Sequence, residues 1–212
     1  GFKIAMRDLE IRGAGNVLGP EQSGFLLSVG YDMYLKLLEE AVLQEQGQPV
    51  PPKTECAADL SVAASVPDRY VPSPEQRMDL YRRIAAIRRE VFNDMYDTEK
   101  RVELVKKRVD ELIDRYGEPP RTVNNLISVA LLRAAAAEAG ITDIAQKQGQ
   151  LVFTLARFSL EQFSALCAMD RYQNRLLLTP GEVPRFTFRL KKGEDALRAA
   201  RQVVDDFAGA EG

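Results

Sequence analysis

Downstream of Ser73 the apolar residues recur with a helical period, and beyond Gly140 they switch to alternation. Three helices are predicted from the first pattern. One opens at Ser73 and carries Met78, Tyr81, Ile84, Ala85 and Arg88. A second starts near Asp97 and places Val102, Val105, Val109, Leu112, Ile113 and Tyr116 on one face. A third, over 122–139, presents Val123, Leu126, Ile127, Ala130, Leu131 and Ala134. Alternation then predicts strands over 141–146 and 151–156 around Gln148-Gly149. A short helix follows through Phe163, Leu166 and Met169. Strands over 175–179 and 185–191 come next, around Pro180-Gly181. A closing helix after Gly193 carries Leu197, Ala200, Val204 and Phe207.

The punctuation agrees with the periods. Ser73-Pro-Glu-Gln76 combines a serine N-cap, a proline in the first turn and a glutamine at the third helical position. Ser159-Leu-Glu-Gln162 repeats the cap. Gly117 falls where a helix ends in a left-handed residue, with Pro119 and Pro120 beyond it. Upstream, Phe2, Ile4 and Met6 alternate, and a helical pattern runs over 31–46 until Gly47-Gln-Pro-Val-Pro-Pro52 stops it. The chain therefore divides into 1–47, a linker over 48–58, and a domain over 59–212 whose first strand is predicted over 58–66. The fold class is α+β: a helical N-terminal segment, then a domain with a small, mostly antiparallel sheet packed by helices.

Composition narrows the function classes. Of 212 residues, 45% are hydrophobic and 28% charged, which is ordinary for a globular protein. The 29 basic and 31 acidic residues leave a net charge of −2, so there is no global attraction to nucleic acid or to an anionic membrane. The chain has no histidine, which removes Ser-His-Asp and Cys-His nucleophile systems and most zinc sites. Cys56 and Cys167 form no C-x-x-C pair and read as two inert thiols in a reducing, cytoplasmic compartment. No apolar run approaches the ~20 residues that span a bilayer. Neither a phosphate loop nor a Walker-B-like strand is present, so this stretch is expected to be no enzyme by itself, with no cofactor or metal of its own. Because it begins at Gly1 without a signal segment, it reads as a fragment of a longer protein.

Basic clusters at Arg82-Arg83, Arg88-Arg89 and Lys106-Lys107-Arg108 are interleaved with acids and read as solvated helix faces. The densest chemistry lies earlier. Residues 8–24, Asp-Leu-Glu-Ile-Arg-Gly-Ala-Gly-Asn-Val-Leu-Gly-Pro-Glu-Gln-Ser-Gly, set Arg12 and Gln22 in a loop-dominated run with four glycines. Glycine suits tight turns and close backbone approach, and arginine offers a fork of donors for carboxylate or phosphate. Two readings stay open from the residues alone. The loop is held by its own side-chain-to-backbone bonds, or it transmits the state of a phosphate-handling machine.

That run resembles the translocation motif D-L-E-[IL]-R-G-x-G-x-[LV]-L-G-x-x-Q-S-G shared by RecG branch-migration helicases and transcription-repair coupling factors. "VGYDMYLKLLEEAV" after it, and the later "VPDRYVPSPEQRMDLYRRIA" and "ELIDRYGEPPRTVNNLISVALLR", resemble the coupling factors in particular. The resemblance implies a superfamily 2 DNA translocase as the parent, with ATP and magnesium bound upstream of this chain. It implies that Arg12 and Gln22 couple ATP-driven lobe closure to movement on duplex DNA, with Gly13, Gly15, Gly19 and Gly24 shaping the loop. Glu10 is placed to orient Arg12. It further implies that the parent displaces stalled RNA polymerase and recruits nucleotide excision repair through UvrA. Residues 59–212 would then pack on an N-terminal UvrB-like module and mask its UvrA-binding surface. The rival expectations are a RecG-like tail with DNA contacts of its own, and an unrelated protein-interaction module.

Overall fold

The helices open on the residues their sequence nominates. In the computed structural model, which describes residues 56–92 and 97–210, the Ser73 hydroxyl accepts from the Gln76 amide at 3.4 Å and starts α1 (Pro74–Val91). The Asp97 carboxylate accepts from the Lys100 amide at 2.9 Å and starts α2 (Thr98–Tyr116). Gly117, at φ 83°, ends α2 in backbone geometry that favours glycine, and its amide donates to the Ile113 carbonyl. Pro119 and Pro120 prevent continuation, and α3 (Arg121–Glu138) begins beyond them. The opening motif, the helix expected over 31–46 and most of the linker lie outside the described residues.

Two compact units divide the chain. Among the described residues, one lies within 62–131 and the other joins 56–61 to 132–210. In the first, α1 and α2 run antiparallel, tied by Arg108–Glu90 at 2.7 Å and, toward the opposite helix ends, by Arg115–Asp79 at 3.7 Å. Leu80, Ile84, Val123 and Leu126 are sealed in the core of this unit, with Leu112 the one fully buried residue of α2. Val102, expected on the apolar face of α2, is 65% exposed. It is the fifth residue of the helix, near its N-terminal end, while Val105 and Val109 of the same stripe do pack on the core.

The strand expected over 58–66 is also shorter than its alternation suggested. Only β1 (Ala57–Asp59) pairs with another strand. Ala64, Val66 and Val71 are nonetheless buried, in coil that packs on the helices of the first unit. Their backbone neighbourhood is satisfied piecemeal. The Ser65 amide donates to Thr122 at 3.3 Å, the Val66 amide to the Tyr81 hydroxyl at 3.0 Å, and the Asn125 side chain to the Ala63 carbonyl at 2.8 Å. Arg77, nearly fully buried, donates from Nη1 to the carbonyls of Val71 and Pro72, each at 2.8 Å. Alternation marks extended backbone but not whether a partner strand exists.

The second unit holds a five-stranded sheet in the order β1-β2-β3-β5-β4. β2 (Ile141–Lys147) and β3 (Gln150–Leu155) form a hairpin. Its turn residues, Gln148 (φ 47°) and Gly149 (φ 76°), both take positive φ, as a two-residue primed turn requires. α4 (Leu160–Cys167) follows, capped by Ser159, and then an unpredicted 3₁₀ turn at Asp170–Tyr172. β4 (Leu176–Thr179) pairs antiparallel with β5 (Arg185–Arg189), and β5 with β3. α5 (Ala196–Gly209) closes the chain, capped by Asp195. Among the described strands β1 alone pairs in parallel, with β2. The fold is α+β with a mixed, mostly antiparallel sheet.

One face of the sheet is the core. Phe153 of β3 stacks on Phe186 of β5 at 4.8 Å, and Phe163 of α4 and Phe207 of α5 close on Phe186 at 5.7 and 5.5 Å. Gln162, buried, donates to the Phe207 carbonyl at 2.8 Å and ties α4 to the end of α5. Arg133, on the part of α3 belonging to this unit, donates from Nε to the Cys56 carbonyl at 2.8 Å, anchoring the chain just before β1.

Candidate interaction surfaces

The residues the sequence nominated for translocation coupling, Glu10, Arg12, Gly13, Gly15, Gly19, Gln22 and Gly24, all lie outside the described residues. What the structure offers instead is surface. Among the described residues no three His, Cys, Asp or Glu side chains gather to hold a metal, and no helix is long and apolar enough to cross a membrane.

In the first unit the exposed side of α2 stands out. Glu99, Glu103, Asp110 and Asp114 fall on one side of the helix and are all exposed, interspersed with Lys106 and Lys107. These four carboxylates make no ion pair among the described residues, whereas the bases of the neighbouring clusters are partly engaged. Arg83 pairs with Asp79 at 2.9 Å, and Arg108 pairs with both Glu90 and Glu111. The interleaved charge that predicted solvated faces is therefore arranged unevenly.

In the second unit there is a groove of about 470 Å³ lined by Arg171, Tyr172, Arg175, Phe188 and Arg198 among others. Its groups are largely committed to one another. The Tyr172 hydroxyl donates to Asp206, which also takes Arg171 at 3.4 Å and the Gln202 amide at 3.1 Å. Burial, and then the Asp206 carboxylate, push the Tyr172 phenol far above its ordinary value, so it stays protonated. Arg175 pairs with Glu194 and lies 4.2 Å from the Phe188 ring centre. This cluster fastens the 3₁₀ turn and β4 to α5; it does not assemble an acid and a base around a reacting atom.

The second face of the sheet is where the unit meets its surroundings. Cross-strand register aligns Ala145, Val152, Thr187 and Leu177 in one row, ending at Asp59 on β1. A parallel row runs Asp143, Thr154, Arg185 and Thr179, and a third contains Lys147, Gln150 and Arg189. None of these residues is buried, and Leu177 is 67% exposed on the edge strand. Asp143 is held above the usual carboxylate range, first by partial burial and then by Asp59, against the pull of Lys147 and Arg185. The sequence carries a signal for this face: Arg185, Thr187 and Arg189 alternate with the buried Phe186 and Phe188.

Fold and surface together define an α+β module with a charged helix face in one unit and a polar sheet face in the other. The TRCF domain family matches residues 60–165, half of the chain. The chain belongs to the transcription-repair-coupling factor family. Over 214 residues it is 34% identical to a transcription-repair-coupling factor of Myxococcus xanthus, covering 98% of this chain and 16% of that protein. Over 166 residues it is 36% identical to one from Staphylococcus haemolyticus, covering 77% of this chain and 13% of that protein. A solved structure described as the C-terminal domain of transcription-repair coupling factor covers 77% of this chain and 98% of its own, with a TM-score of 0.56 at 17% identity. The family decides between the two groups that the opening motif resembles. The chain spans only a small fraction of the length of the curated relatives it matches.

Proposed function

We propose that this chain is the C-terminal part of a cytoplasmic, ATP-dependent DNA translocase that displaces stalled RNA polymerase and recruits excision repair. In this reading residues 1–47 finish the motor. Arg12 and Gln22, oriented by Glu10 and the loop glycines, relay closure of the motor lobes, which bind ATP and magnesium upstream, into a step along duplex DNA. Residues 59–212 act by binding, not by chemistry. They rest on the parent's N-terminal UvrB-like module and keep its UvrA-binding surface covered until polymerase is engaged.

The observation that supports a docking role is α2. A 19-residue helix with one fully buried residue, Leu112, and an outward row of unpaired carboxylates suits a contact that must form and release. Charged contacts of this kind set partner choice and speed of encounter more than they add affinity. The test is UvrA binding by the full-length parent. Removing residues 59–212, or converting Glu103, Asp110 and Asp114 together to lysine, should raise UvrA binding, and more so at low salt for the charge change. If the deletion leaves UvrA binding where it was, the masking role is wrong. If only the lysine variant does so, the docking face is elsewhere on the domain. For the motif, Arg12→Ala in the full-length parent should abolish ATP-driven movement while ATP binding persists; unchanged movement would remove the coupling role.

A further inference from the structure

A different surface, independent of α2, lies along one edge of the sheet. Among the described residues β4 is an edge strand, hydrogen-bonded on one side only, to β5. The Arg189 amide donates to the Arg175 carbonyl at 2.8 Å, which makes Arg175 and Arg189 a hydrogen-bonded pair. Antiparallel ladders alternate, so Leu177 and Thr179 turn their backbone groups toward β5, and Leu176 and Leu178 turn theirs outward. Those outward N–H and C=O groups make no backbone bond to any other described segment. Edge strands are normally blunted by charge, proline or a bulge on the strand itself. Here the strand is Leu-Leu-Leu-Thr, with Leu177 exposed and Pro180 only after its end.

The chemistry beside this edge is asymmetric. Leu177 ends the row through Thr187 and Val152, and on β5 the exposed Arg185 and Arg189 stand one position to either side of that row on the same face. The carboxylates of the face, Asp59 and Asp143, belong to β1 and β2 at the opposite side of the sheet. We propose that β4 accepts an extended segment of a partner protein by strand addition, and that the segment follows the pattern acidic–x–aliphatic–x–acidic. The aliphatic residue would extend the row beyond Leu177. Its two flanking acids, two residues either side in the added strand, would meet Arg185 across the small Thr179 and Arg189 at the other end. Main-chain bonds to Leu176 and Leu178 would supply the pairing, and the two arginines the selection.

The 212-residue chain can be titrated with the capped peptide Thr-Glu-Thr-Val-Thr-Glu-Thr, monitored by amide NMR and hydrogen exchange. Slowed exchange confined to Leu176, Leu178 and their neighbours is the expected result. A peptide with both glutamates replaced by lysine should bind at least about tenfold more weakly, and the double variant Arg185→Glu, Arg189→Glu should invert that preference. Leu177→Lys, at an exposed position that leaves the fold intact, should weaken the acidic peptide without moving the site. Equal binding of the two peptides overturns the proposal, as does protection that maps away from β4. So does sedimentation showing that the chain pairs with itself through this edge, since the occupant would then be a second copy.

Discussion

Replacing Phe186 with alanine tests the account of the second unit most directly. The ring is fully buried and touches three others, stacked on Phe153 with an interplanar angle of 13° and tilted against Phe163 and Phe207. Truncating a buried phenylalanine costs about 3–5 kcal/mol through lost transfer energy and the cavity left behind. Each ring pair contributes about 0.5–1.5 kcal/mol beyond burial, so three pairs place this site toward the upper end of that range. A domain stability of about 5–15 kcal/mol makes such a loss a large share of the total. Phe186→Leu, which keeps most of the volume, should lose far less. Leu177→Ala, one residue type on the opposite face of the neighbouring strand, should change stability by no more than about 0.5 kcal/mol. Native-state hydrogen exchange at the Phe153 and Phe188 amides reads this unit directly. Protection there should fall about a thousandfold for the alanine variant, the equivalent of ~4 kcal/mol. A drop of tenfold or less, or one matched by Leu177→Ala, would mean that the aromatic cluster does not organise the sheet.

Three further outcomes are expected. Arg77→Met should destabilise the first unit by about 2–4 kcal/mol in urea unfolding, because it leaves the buried Val71 carbonyl and the partly buried Pro72 carbonyl without their charged donor. Asp143→Asn should stabilise the chain at neutral pH. Its folded carboxyl titrates above the ordinary value of 3.8, so the protonated form is favoured by folding. That contribution is present below the ordinary value and lost as pH rises through the folded one, so the gain from Asn should shrink as urea midpoints are followed from pH 7 down to pH 4. Iodoacetamide at pH 8 should modify Cys167 and spare the fully buried Cys56. Partial covering raises the Cys167 thiol above its ordinary value, so its alkylation should be slower than that of a free cysteine peptide; mass spectrometry gives both rates.

What the sequence disclosed and what it withheld have physical reasons. Helix starts were legible because caps act locally: Ser73, Asp97 and Ser159 each bond an amide three residues on. The hairpin at Gln148-Gly149 was legible for the same reason, since positive φ is a local demand. The parallel pairing of β1 with β2 was not, because more than 80 residues separate Ala57 from Asp143 and nothing local encodes that contact. Nor was the fate of residues 60–71, where alternation serves burial against helices and not a ladder. The surfaces were the least legible part. Arg185, Thr187 and Arg189 acquire their meaning only once register sets Leu177 beside them and the acids on the far strands. The sequence also nominated a site, at Arg12 and Gln22, on the strength of resemblance, and that site lies outside the residues described.

The second unit is assembled from two separate stretches of chain, with the helical first unit interposed between β1 and the rest of the sheet. In genetic terms residues 62–131 are an insertion whose flanking segments both belong to the sheet unit. No single cut can separate the two parts cleanly. A truncation that starts at Val62 keeps every described helix yet strips β1 from the sheet, leaving β2 as a raw edge and the Arg133 guanidinium without the Cys56 carbonyl it holds. A shortened version of this protein that keeps the sheet whole has to begin upstream of Cys56.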